Sequence, residues 1–412
     1  MKSSFSKEEC ALLSMLAKSL SQNQGEQSRQ INDDAGQDNS QNEPDYGVIL
    51  ELAGAHKVLS IAYNEFIKLP LSEQQRKVVA STAKTTVAQN LRLLFLDKYV
   101  TGILEKAGVA VVVLKGMVTA AYYKEPLYRK SGDVDLLLLD KSKLETAKKT
   151  LCDAGFSMAD NQPSLHHIVF DSAEGIEIEL HTELAEPFDN KEMNRYMDEV
   201  MLQYGTETVS EMVCEVSLPA LSPAYHAYEL LLHMLQHFLR AGFGLKLLCD
   251  WVVFWNHERN KTDQDTYLRL VTACGLKRFS DQVTRVCIDY LGLEESKVTF
   301  MQLAVDDAEA FMKETLEAEE FGKSSKDRMV ALRGGKLSDY VREFHHQMRL
   351  NYPGAGKCFL LWPVLWIMTL VRFLRNNRKL KRPSAKEILK KAGERGRIIE
   401  NLELFQVKNN PK

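Results

Sequence analysis

Paired cysteines are missing from this chain. Its seven cysteines (Cys10, Cys152, Cys214, Cys249, Cys274, Cys287 and Cys358) are scattered, odd in number and form no Cys-x-x-Cys pair, which argues against both a disulfide framework and a zinc ribbon. A reducing cytoplasm is the expected setting. Strong charge of either sign is missing too. The net charge is −3 over 412 residues, so no global field draws the chain to a long nucleic acid, and a phosphate-bearing ligand must be held by a few local basic side chains. Long apolar runs are scarce. The run from Cys358 reaches about 14 residues before Arg372 and contains Pro363, short of the roughly 17–25 residues of a membrane-spanning helix. Residues 358–374, followed by Arg375, Arg378, Lys379, Lys381 and Arg382, are expected to form a buried helix or an interfacial or partner-binding one. The first ten residues lack the apolar core and small-residue cleavage site of a signal peptide and read as a capped helix running to Leu20.

What is present is ordinary globular composition, 45% hydrophobic and 26% charged, with room for two or three domains. Residues 21–45 are Gln, Asn, Asp, Ser and Gly with almost nothing apolar, and are expected to be a flexible loop because they bury too little to offset the entropy of ordering. Helical spacing marks 46–69 and 72–107, the latter ending at Gly108. From 109 to about 184 strands and helices alternate: strands at 109–114, 134–139, 167–171 and 176–181, helices at 116–123 and 142–154. From 224 onward the pattern is helical again, at 225–241, 244–256, 266–274, 279–291, 300–318, 340–349, 385–391 and 398–405. The expected organisation is an N-terminal helix (1–20), the flexible loop (21–45), a helical lead-in (46–108), an α/β core (109–222) and a helical C-terminal domain (223–412).

The strand Asp133-Val134-Asp135-Leu136 carries the strongest chemical signal. Side chains alternate along a strand, so Asp133 and Asp135 share one face while Val134, Leu136 and Leu138 supply an apolar one. Adjacent carboxylates repel, and a divalent cation such as Mg²⁺ relieves that repulsion. In Ile176-Glu177-Ile178-Glu179-Leu180-His181 the polar face is Glu177, Glu179 and His181. If the two strands lie side by side, a third carboxylate joins the pair.

The blocks Leu114-Lys115-Gly116, Tyr122-Tyr123, Pro126, Arg129, Asp133-Val134-Asp135-Leu136-Leu137 and Glu179-Leu180-His181 together resemble the bacterial uncharacterised nucleotidyltransferase family of the polymerase-beta-like superfamily, over roughly residues 85–255. The resemblance implies an α+β fold with a small mixed β-sheet as its nucleotidyltransferase core. It implies transfer of a nucleoside monophosphate from an NTP to an acceptor hydroxyl, with pyrophosphate leaving, through a two-metal Mg²⁺ site on Asp133, Asp135 and Glu179. Glu177 is the alternative third carboxylate. Glu179 is preferred because the family's acidic position directly precedes the Leu-His step. His181 either hydrogen-bonds at the strand end or meets substrate or a carboxylate. Lys115-Gly116 stands where the superfamily usually has Gly-Ser; Gly116 would bring backbone N–H groups, and Lys115 its charge, to a triphosphate. Arg129 is read as a bidentate phosphate ligand, or as a solvated loop arginine.

A second polar cluster follows. His233 and His237 lie one turn apart, as do Lys246 and Asp250. The histidine pair resembles half of a zinc motif but lacks its glutamate, because Met234 follows His233. These groups either line the nucleotide cleft, with Lys246 on a phosphate and Asp250 orienting it, or form buried pairs between helices. Trp251 and Trp255 are expected in the core. The acceptor is expected to be a small molecule; a protein- or tRNA-modifying enzyme and a catalytically inactive binding scaffold are the other two readings.

Overall fold

A computed structural model describes residues 5–21, 43–159, 167–188, 190–204, 208–240, 242–257, 259–301 and 308–319, and, beyond these, 341, 344–345, 348–349, 351–352, 354–378, 398–399 and 401–404. The first helix, α1 (Lys7–Leu20), starts at a capping box in which Ser6 and Glu9 satisfy each other's backbone N–H groups, and it buries Leu12, Leu13, Leu16 and Leu20. Asp45 caps α2 (Tyr46–Ala55), and a one-turn α3 (Tyr63–Phe66) follows. A second capping box, Ser72 with Gln75, opens α4 (Glu73–Lys106), a helix of 34 residues. Most of the expected 21–45 loop and all of 385–391 lie outside the described residues.

The central sheet contains β1 (Val111–Val113), β2 (Val134–Leu138), β3 (Ser157–Met158), β4 (His167–Asp171) and β5 (Glu177–His181), in the order β1-β2-β5-β4-β3. It is mixed: β2 and β5 are parallel, and the other neighbours are antiparallel. Between β1 and β2 runs the short helix α5 (Gly116–Ala120), and between β2 and β3 runs α6 (Leu144–Asp153). The fold is therefore α+β with a small mixed sheet.

Strand alternation splits the core in two. Val111, Val113, Val134, Leu136, Leu138, Ile178 and Leu180 belong to one buried cluster with Leu93, Val100 and Leu104 of α4 and Leu151 of α6. Val112, Leu114 and Leu137, from the other face, belong to a second cluster built mainly from helices. These are α1 to α3 together with α7 (Lys191–Tyr204), α8 (Pro223–Arg240), α9 (Leu245–Asn256), α10 (Lys261–Ala273), α11 (Lys277–Leu291) and α12 (Ala308–Ala318). Trp251 and Trp255 are fully buried there. The polar face of β2 and β5 thus looks toward the helical half, and a cleft forms where α8 and α9 approach it.

A two-stranded hairpin, β6 (Thr208–Val213) and β7 (Val216–Leu221), lies in a region for which the sequence suggested no element. Its turn residues Cys214 and Glu215 both have positive φ, 45° and 68°, a conformation that Asn-Gly or Gly-Gly ordinarily announces. Val213, Leu218 and Ala220 bury in the α4 cluster. A further helix, α13 (Trp362–Arg378), spans the Trp-rich segment.

Candidate functional site

The parallel pairing of β2 with β5 sets Asp135 directly opposite Glu179, so both carboxylates stand on one sheet face. His181 Nε2 lies 3.0 Å from Asp135 Oδ1 and 3.1 Å from Glu179 Oε2. Burial disfavours a charged imidazole, but hydrogen bonds to those two carboxylates outweigh it and raise the His181 pKa above its ordinary value. Burial likewise opposes charge on Asp135, yet Lys115 and His181 hold its carboxyl well below the usual range. Burial also works against charge on Glu179, and its hydrogen bond from His181 brings the net shift down. Asp133 sits at the strand's start, half-buried. The neighbouring charge of Asp135, followed by burial, pushes its pKa up to about 6. Glu177 is exposed and pairs in register with Asp171 of β4.

Lys115 closes the cluster from β1. Leu114 N–H donates to Asp135 O at 2.9 Å, extending the β1–β2 pairing by one residue, and the Lys115 ammonium then lies 3.2 Å from Asp135 Oδ1. Burial favours a neutral amine here, but Asp135, Glu229, Asp133 and Glu179 together raise the Lys115 pKa above its ordinary value. Its backbone adopts φ 44°, ψ −134°, a region costing a residue with a Cβ of order 1–3 kcal/mol and concentrated at functional sites. Gly116 also has φ 44°. A Cβ there would meet Asp133 O at 3.9 Å, ordinary contact, so glycine is needed for conformation and not for space. The helix it begins has five residues, too short for its dipole to be a major anion attractor, which leaves that work to side-chain charge.

Arg129 is committed to the protein. Its Nε and Nη2 donate to the two Asp250 carboxylate oxygens at 2.6 and 2.8 Å, and Nη1 donates to Gly116 O at 3.0 Å and Ser131 Oγ at 2.8 Å. Tyr123 OH adds a bond to Asp250 Oδ1 at 2.7 Å. Arg129 and Asp250 are both buried, so they form an interior ion pair tying α9 to the loop before β2. Asp250 is thus paired with a loop residue and not across two helices, and Arg129 is buried and not a solvated loop arginine. Asn90 of α4 holds the same loop, donating to Leu127 O and Arg129 O at 2.8 and 2.6 Å. Lys246 is half-buried, and its ammonium lies 3.5 Å from Lys130 O.

These groups surround a cleft of about 80 Å³, lined by Lys115, Gly116, Asp133, Asp135, His233 and Lys246 among others. That is room for a phosphoryl group or a few waters, with the remainder of any nucleotide lying outside. His233 and His237 stack edge to face at 4.5 Å. Burial drives His233 well below its ordinary pKa and brings His237 down to about 4, so both are neutral. A different set, His167, Glu179 and His181, brings three ligand atoms within 4.8 Å of one another.

Sequence reading missed Glu229, one turn before His233 on α8. It is 2% exposed, its Oε2 has no hydrogen-bond partner among the described residues, and burial raises its pKa to about 7. Lys115 and Asp135 are its main electrostatic neighbours. The signal available was the spacing of Glu229, His233 and His237, a polar stripe on one side of a largely apolar helix.

The sequence model of the family described as "Uncharacterised nucleotidyltransferase" matches residues 42–292. The chain belongs to that family. The match takes in the sheet, the cleft and helices α8 to α11, and excludes α12 and α13. No curated protein matches the chain. Among solved structures, an antigenic nucleotidyltransferase-like protein from Paracoccidioides brasiliensis aligns at 16% identity with a TM-score of 0.31, covering 50% of this chain and 96% of its own.

Proposed function

We propose that this nucleotidyltransferase-family chain is a Mg²⁺-dependent enzyme that transfers a nucleoside monophosphate from an NTP to an acceptor hydroxyl and releases pyrophosphate, with a small molecule as acceptor. The observation that carries the reading is Asp135 paired with Glu179 on one sheet face, with Asp133 immediately before β2, Lys115 beside Asp135 and Lys246 across the cleft. The donor set fits a hard divalent cation: two adjacent carboxylates, one with its pKa raised to about 6 by the other's charge, gain from a cation between them. Asp133, Asp135 and Glu179 would hold Mg²⁺, which when bound neutralises charge on the pyrophosphate and activates the attacking hydroxyl.

The chain's own residues supply the rest. Lys115 and Lys246 attract the triphosphate into the cleft. Arg129, saturated by Asp250, Gly116 and Ser131, positions the loop that delivers Asp133. His181 steadies Asp135 and Glu179 by donating between them. Glu229, with a pKa near 7, is suited to hold or release a proton beside Lys115.

One observation favours a second reading, a binding scaffold without catalysis. Asp135 Oδ1 is already shared by Lys115 and His181, which compensate its charge without a cation and compete with one for that oxygen. Incubation with NTPs labelled at the α-phosphate, Mg²⁺ and pools of small hydroxyl compounds tests both. Catalysis predicts labelled product and pyrophosphate from wild type and neither from Asp135→Asn. NTP binding with no pyrophosphate in any pool supports the scaffold, and label confined to protein or tRNA contradicts the small-molecule acceptor.

A further inference from the structure

The C-terminal helix α13 is apolar on two opposite faces. One face is held by the chain. Trp362 Nε1 donates to Gly356 O at 2.8 Å, Trp366 Nε1 to His345 Nδ1 at 3.2 Å, and Leu365 and Thr369 are buried. The other face is exposed. Val364, Ile367 (62% exposed), Met368 and Val371 recur at helical spacing, with Phe359 (68%) and Leu360 (71%) just ahead of the helix. A helix apolar all round is normally covered on every side. Large apolar patches rimmed by polar residues mark interaction sites.

Charge indicates what covers it. From Phe344 to Lys386 there is no Asp or Glu, while Lys and Arg number nine, in a chain of net charge −3. Arg372, Arg375 and Arg378 fall in the last turns of α13, and Lys379, Lys381 and Arg382 follow in sequence. A helix that joins an exposed apolar face to a run of cations with no anions is matched chemically by a surface with a negative rim and an apolar interior. A self-association interface would place like charges against each other. No described helix is long and apolar enough to cross a membrane, and Pro363 lies at its first turn. The fitting geometry is in-plane, with the Val364–Ile367–Val371 stripe set into the lipid and the arginines at the headgroups.

We infer that α13 docks the protein on an anionic lipid surface through its exposed Val364, Ile367, Met368 and Val371 face, the exposed Phe359 and Leu360 just ahead of it, and the basic residues at its C-terminal end. The inference is independent of the nucleotidyl-transfer reading, because no residue of the cleft takes part.

The test is flotation of the full-length protein with vesicles of phosphatidylcholine alone or mixed with phosphatidylglycerol. Wild type is expected to float with the anionic vesicles, to stay down with neutral ones, and to be released by raising salt. Val364→Ser/Ile367→Ser and Arg372→Gln/Arg375→Gln are each expected to weaken partitioning by about tenfold or more; Val364 and Ile367 are exposed, and circular dichroism checks the fold of both variants. Absence of wild type from every floated fraction overturns the proposal. Equal binding to neutral and anionic vesicles overturns its electrostatic half. Self-association abolished by the Val364→Ser/Ile367→Ser pair, with no flotation, assigns the face to a second copy instead.

Discussion

Neutralising Asp133 should stabilise the metal-free protein. Its carboxyl titrates at about 6 in the fold against an ordinary value of 3.8, chiefly because the Asp135 charge is beside it and secondarily because it is buried. The folded state therefore holds this proton more tightly than the unfolded chain does. The sign follows: stability is unaffected below pH 4, falls as pH rises from about 4 to 6, and carries the full penalty above that. The gap of about two pH units corresponds to at most about 3 kcal/mol, and by pH 5 about half of it is developed. Asn has no such titration, so Asp133→Asn should exceed wild type at pH 7.5 in EDTA. At roughly 2.1 cal/mol/K per residue, the unfolding entropy of a chain this long makes 3 kcal/mol about 3.5 °C in midpoint. Thermal melts at pH 4.0, 5.0 and 7.5 measure it, with the advantage shrinking toward zero at the lowest pH. Mg²⁺ should reverse the order by stabilising wild type more than the variant. A variant less stable than wild type at pH 7.5 in EDTA, or an advantage that does not depend on pH, would refute the reasoning.

Three further outcomes are expected. Arg129→Ala leaves Asp250 charged and buried, and should cost about 3–5 kcal/mol in urea unfolding; a loss below 1 kcal/mol would contradict the interior ion pair. Lys115→Gly should be more stable than Lys115→Ala by about 1 kcal/mol in the same assay, reversing the usual penalty for glycine, because φ 44° with ψ −134° suits only a residue without a Cβ. His181, with a pKa raised by Asp135 and Glu179, contributes stability that is complete below pH 6.5 and lost as pH rises through its folded pKa. His181→Gln should therefore narrow its deficit against wild type between pH 6 and 8.5, and a deficit that widens over that range opposes the assignment.

Local rules made part of this molecule readable. Period-two alternation in residues 133–139 and 176–181 puts Asp133, Asp135, Glu179 and His181 on polar faces without any tertiary contact. The rest depends on contacts that a local pattern does not encode. The parallel register that sets Asp135 against Glu179 is one. The Arg129–Asp250 pair, 121 residues apart in sequence, is another, and nothing near Arg129 distinguishes a guanidinium that meets a phosphate from one that meets a helix. Glu229 escaped notice because its burial, with Oε2 lacking a hydrogen-bond partner among the described residues, exists only once α8 packs against the sheet. The β6–β7 hairpin escaped because Cys214-Glu215 forms its turn without the glycine or asparagine that usually signals one.

The most direct test of the proposed site is a crystal structure of the wild-type protein with Mg²⁺ and a non-hydrolysable NTP. The account predicts metal density bounded by Asp133, Asp135 and Glu179, triphosphate oxygens against Lys115 and Lys246, and an Arg129–Asp250 pair left intact. Metal held by His167, Glu179 and His181 with Asp133 free, or a triphosphate bound away from this cleft, would contradict it.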